Sequence, residues 1–183
     1  MDFFKDIKTV ATIAHVFSAV CAMGAALASD VLFNFYRTDK KLSYMELRTL
    51  ATLSRFVWYG LIAIIISGVA IFLSDPAYYL ASSKFLAKMT IVGILIVNGF
   101  IIDRFIWHHL SHTEFLVSKK EKTVRRAAFI CGTISVISWT SVLSLGVLDS
   151  VRFSYGAIIG VYGSTIFIGA LAALIIEWHA FKT

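Results

Sequence analysis

A chain of 183 residues, 58% hydrophobic and only 15% charged, carries far more apolar side chain than one soluble core of that size can bury. Its mean hydropathy of +0.81 excludes an ordinary soluble domain. Its formal charge of +6 falls between apolar runs, so the basic excess signals orientation in a bilayer and not a nucleic-acid partner.

The expected fold class is all-α: one integral membrane domain over residues 1–183, a bundle of about five transmembrane helices. A helix needs about 20 apolar residues to cross the hydrocarbon core. The first run, residues 10–36, is long enough to tilt or project. It is followed by Asp30 and Asn34 and not by a small-residue cleavage site, so it reads as a span and not a cleaved leader. His15 lies little more than one turn into it and shares a face with Ser18, Ala22 and Ala25. That small-residue face should look into the bundle, where a flat cofactor could lie. Asp30 and Asn34 are one turn apart toward the other end.

A basic stretch with Arg37, Lys40, Lys41, Arg48 and Arg55 leads into the second run, residues 52–73, which Asp75-Pro76 closes because proline cannot continue a helix. The third run, residues 85–107, has Ser82 or Ser83 as its cap. It carries Lys88 at the depth of His15, and Asn98, Asp103 and Arg104 toward the opposite end. Trp107-His108-His109 and His112 follow, then the basic group Lys119, Lys120, Lys122, Arg125 and Arg126. The fourth run covers residues 127–148 and the fifth residues 155–178, with Glu177 and His179 at its end.

The two basic loops place their side in the cytoplasm, the N-terminus outside and the C-terminus inside, as expected for a bacterial inner (plasma) membrane protein. Trp58, Trp107 and Trp178 then fall at the cytoplasmic interface, and Tyr78, Tyr79, Phe153 and Tyr155 at the outer one. Gly156, Gly160, Gly163 and Gly169 on the fifth span suit close helix approach. They serve either packing within the chain or a homo-oligomer or larger membrane complex docking through that span. The remaining partner is the lipid bilayer, with no nucleic acid.

Ionisable groups inside a bilayer are expensive unless paired or hydrated, which makes each a functional candidate. Asp30, Asn34, Arg55, Asn98, Asp103, Arg104 and Glu177 form an expected inner polar cluster, with Asp30 paired to Arg104 or Arg55. It reads as a structural ion pair or as a proton or ion path. His108 and His112 have the four-residue spacing of metal ligands, and His179 lies at the same interface. A bis-histidine haem using His179 with His108 or His109 is one arrangement, and a solvated histidine cluster the other. Cys21 and Cys131 lack metal-like spacing. Phosphate-loop, HExxH, nucleophile-elbow and CxxC motifs are all missing from the sequence.

Residues 8–105 carry a further pattern. A His early in the first span precedes a small-residue face, His15 through Gly24 and Ala28. A basic loop holds Tyr44-Met45-Glu46, the second span ends with Ser67-Gly68, and the third opens Phe85-Leu86-Ala87-Lys88-Met89. This resembles the membrane superfamily that includes copper-resistance protein D and the HemJ-type protoporphyrinogen oxidases. The resemblance implies a functional pair at His15 and Lys88 and bound haem b or a related porphyrin, with copper as the alternative. Asn98 departs from it, standing where the oxidase-like pattern favours a second His. The expected function is cofactor binding for redox chemistry. The alternatives are an ion, proton or small-solute transporter built on the inner cluster, and a non-catalytic subunit of a membrane complex.

Overall fold

The computed structural model describes residues 2–36, 43–106, 119–148 and 153–180. Within them the chain is helical and has no strand. The helices are α1 (Asp2–Tyr36), α2 (Tyr44–Phe72), the short α3 (Pro76–Ala81), α4 (Ser83–Ile101), α5 (Lys119–Val147) and α6 (Tyr155–Ala180). Among the described residues five stretches are long and apolar enough to cross a membrane: Asp6–Tyr36, Tyr44–Phe72, Ser83–Phe105, Thr123–Val147 and Tyr155–His179. The protein is therefore an integral membrane protein in contact with lipid. The side on which α1 begins is called the near side below, and the other the far side.

The helices outrun the apolar runs at their polar ends. Helix α2 starts at Tyr44 and not at residue 52, because Ser43 and Glu46 form a reciprocal cap: Ser43 N donates to Glu46 Oε2 at 2.6 Å, and Glu46 N donates to Ser43 Oγ at 3.3 Å. Tyr44-Met45-Glu46 is thus the first turn of a helix and not a loop. Helix α5 starts at Lys119 and not at residue 127, which places Arg125 and Arg126 on a helix. At the near side α2 ends at Phe72, so Ser67 and Gly68 are interior to it. Asp75 caps α3 by accepting from Tyr78 N at 3.1 Å, with Pro76 in the first turn, where a missing N–H costs nothing. Ser82 caps α4 through Phe85 N at 3.4 Å. The far end of α4 runs into a wider π-turn, Ile102–Ile106, which carries Asp103 and Arg104.

Helix α1 packs chiefly on α2, and α5 packs on α4 and on α6. In lipid such contacts depend on close backbone approach. At the α1–α2 crossing a Cβ on Gly60 would lie 2.6 Å from Ala22 Cβ and 3.2 Å from Ala22 Cα. At the α5–α6 crossing a Cβ on Gly169 would lie 2.8 Å from both Ile137 and Thr133 side chains. Ala22, Ala26, Leu61, Ile64, Leu95 and Trp139 make the central core, which draws on α1, α2, α4 and α5. A second core, Ala87, Ile91, Leu145 and Tyr162, joins α4, α5 and α6 toward the near side. There Ser138 and Tyr162, both buried, share a hydrogen bond of 2.8 Å. Of the glycines on α6, Gly169 serves packing within the chain, whereas Gly156, Gly160 and Gly163 are exposed and have open space beside them.

Candidate functional site

His15 sits on α1 above the Ala22–Gly60 crossing, its ring laid against α2. Its Nδ1 lies 3.0 Å from the carbonyl oxygen of Ile64 and 3.1 Å from Ser67 Oγ. A carbonyl can only accept. The Ser67 hydroxyl proton is directed to the Ala63 carbonyl at 2.6 Å, one turn back along α2, so Ser67 Oγ also presents a lone pair to the ring. Both contacts therefore need a proton on Nδ1, and a neutral ring then carries its only free lone pair on Nε2. Gly68 makes room for this pose, since a Cβ there would lie 3.3 Å from His15 Cε1.

Lys88 stands on α4, six residues in from its Ser82 cap, at the same end of the bundle. The side chain is half-buried, and its Nζ lies 3.6 Å from where a Gly146 Cβ would be, on α5. Among the described residues no carboxylate pairs with Lys88 and nothing accepts a hydrogen bond from it. Lys84, one turn earlier, is occupied, donating to the Leu148 carbonyl. The near side thus carries an imidazole of fixed tautomer on α1 and an amine without a counter-ion on α4.

At Ala22 the small-residue face below His15 has no space for a flat cofactor. Ala22 is fully buried, and the Gly60 backbone is pressed against it. Any ligand of His15 must lie at the level of the ring and not between Ala22 and α2. Beside the ring, on the outer surface of the α1–α2 pair, is an apolar groove of about 580 Å³ lined by residues including Val10, Ala14, Ser18, Ile66 and Ser67. Its size falls in the range of small-molecule sites. Ser67 belongs to its wall, while His15 and Lys88 do not line it.

The expected inner cluster divides into separate contacts. Glu177, 1% exposed, is clamped on the far side by Arg125 Nε at 2.9 Å, Arg125 Nη2 at 2.6 Å and Arg126 Nε at 3.2 Å, a junction of α5 and α6. Asp103 accepts a hydrogen bond from Ser54 Oγ at 3.4 Å, joining α4 to α2, while Arg55 and Arg104 are exposed. Asn98 is buried and donates to the Cys131 carbonyl at 2.9 Å, tying α4 to α5. Asn34 Nδ2 donates back to the Asp30 carbonyl at 3.0 Å, within α1. The expected pairing of Asp30 with Arg104 or Arg55 is not formed; its carboxylate turns toward Gly132 of α5, whose missing Cβ would lie 3.2 Å from Oδ1. The reason is directional: Asp30 faces the bundle, and both arginines reach outward.

His179 is exposed and stacks edge-on with Trp178 at 4.7 Å. Its proposed companions His108, His109 and His112 lie outside the described residues, as do Trp107, Arg37, Lys40, Lys41 and Arg152. Among the described residues no three His, Cys, Asp or Glu side chains gather as a metal site. Cys21 is exposed and Cys131 buried, both as free thiols. Sequence reasoning read Ser67 and Gly68 only as the end of the second span and Arg125 only as part of a basic loop, and missed their contacts with His15 and Glu177. Ser67 and Gly68 stand at neighbouring positions on the face of α2 that meets His15, a signal available only once helices are paired. No family model, curated protein or solved structure matches the chain.

Proposed function

We propose that the protein binds haem or a related porphyrin at the near side, with His15 Nε2 as axial ligand and Lys88 as second ligand or as partner of a propionate. The observation that carries this is the double acceptor contact at His15 Nδ1. Metal-ligating histidines characteristically donate the other ring N–H to a carbonyl or similar acceptor, which fixes the tautomer and the ring plane. An amine that lacks a counter-ion complements this. Charged, it suits an anionic propionate; neutral, it is a nitrogen ligand. Both residues fit the donor set a porphyrin iron requires. The bound group would supply one-electron chemistry, while the chain supplies orientation, charge and a water-poor setting.

In this proposal the near side faces outward from a bacterial plasma membrane, following the basic residues on the far side. The test is haem titration of the detergent-purified protein. The expected result is a Soret band that saturates at one haem per chain and is lost in His15→Ala. A preparation that stays colourless after haem supplementation contradicts the proposal.

A further inference from the structure

Asp30 presents a different chemistry at the other end of α1. Its Oδ2 is the one buried side-chain nitrogen or oxygen among the described residues that has no hydrogen-bond partner. Every other sealed polar side-chain atom there is matched, including those of Glu177, Ser138 and Asn98. Oδ1 lies against α5 at Gly132, where a Cβ would come within 3.2 Å of it. The turn of α5 that carries Gly132 is also tied to α4, because Asn98 donates to the carbonyl of the adjacent Cys131. The carboxyl is therefore seated by backbone on one side and left without a donor.

The charged groups of the neighbouring helices do not complete it. On α2 the nearest in depth is Arg55, exposed and unpaired with it. On α4 and its π-turn, Asp103 is taken by Ser54 and Arg104 is exposed. On α5, Arg125 and Arg126 are bound to Glu177, and the titratable group nearest Gly132 is the buried thiol of Cys131. A bare carboxylate in such a place costs several kcal/mol, and a proton removes that charge without any new partner.

We propose that Asp30 is a proton-exchanging site apart from the near-side site: the carboxyl holds a proton at rest and exchanges it with water at the far-side interface, six residues or about 9 Å along α1 at Tyr36. The step is a simple transfer, one proton passing between a carboxyl oxygen and a water molecule, with no redox partner. Asp30 and His15 are fifteen residues apart on one helix, about 22 Å, so the two sites are independent and each stands without the other.

The experiment is infrared spectroscopy of the full chain in lipid at neutral pH, reading the carbonyl stretch of a protonated carboxyl, which carboxylates lack. The expected spectrum has one such band, which shifts on exchange into D2O and disappears in Asp30→Asn. Should Asp30→Asn fail to fold, Gly132→Ala serves instead: its Cβ crowds Oδ1 and is expected to move the band while the carboxyl stays. A native protein without the band, a band undiminished in Asp30→Asn, or one unmoved by Gly132→Ala overturns the proposal.

Discussion

Arg125 meets Glu177 through two nitrogens, Nε at 2.9 Å and Nη2 at 2.6 Å, both on the same carboxylate oxygen. The second oxygen is left to Arg126, whose side chain is 43% exposed. Charge-assisted hydrogen bonds of this kind contribute about 1.5–3 kcal/mol each when sheltered and far less in solvent. Glu177→Gln keeps the shape and removes the charge. The predicted loss is about 1.5–3 kcal/mol of bundle stability, read as a shift in the denaturation midpoint in detergent. Arg126→Gln is predicted to lose about 0–1 kcal/mol, because that contact is half in solvent.

The α1–α2 crossing yields a steric prediction. A Cβ at Gly60 meets Ala22 Cβ at 2.6 Å and Ser18 O at 3.3 Å, and neither can rotate away. Gly60→Ala is expected to destabilise by about 1–3 kcal/mol through forced separation of the two helices. Gly156→Ala, which has open space around it, is expected to have no such effect. Equal losses for the two variants, in the same unfolding assay, would contradict the packing described.

Ser138 and Tyr162 share their hydrogen bond in the core between α5 and α6. Hydrogen bonds between membrane helices average about 0.6 kcal/mol, since the unfolded chain in lipid also finds partners. Tyr162→Phe should therefore cost about that much, measured by the same denaturation curve.

Ser67 tests the orientation of His15 without touching the ligand atom. Ser67→Ala leaves the Ile64 carbonyl at 3.0 Å and removes one of two acceptors. Outer-shell partners of this kind contribute about 10–100-fold to metal affinity. The expected outcome is weaker haem binding by about that factor with the band position retained, read by titration. Unchanged affinity would separate Ser67 from the site.

Five spans were legible because bilayer thickness demands about 20 apolar residues in a row, and the sequence has five such runs. Helix ends were not, because Tyr44 to Ala51 and Lys119 to Arg126 are helical but carry charged residues, at the level where water and headgroups satisfy charge. For the same reason Arg125 read as part of a basic loop, and its bond to Glu177 went unseen. Depth could be counted along each helix, which brought His15 and Lys88 to one level. Rotation about each helix axis could not. It decides that Asp30 faces Gly132 and not Arg104, that Ser67 and Gly68 receive the His15 ring, and that Trp139 lies in the central core.

The central claim, ligation through His15 Nε2, is tested most directly by chemical rescue. In His15→Gly the ring is removed, and free imidazole can enter in its place. Haem-loaded His15→Gly is predicted to lack the native Soret band and to regain it when imidazole is added, in both the oxidised and the dithionite-reduced spectrum. A native spectrum in His15→Gly without imidazole would contradict the account.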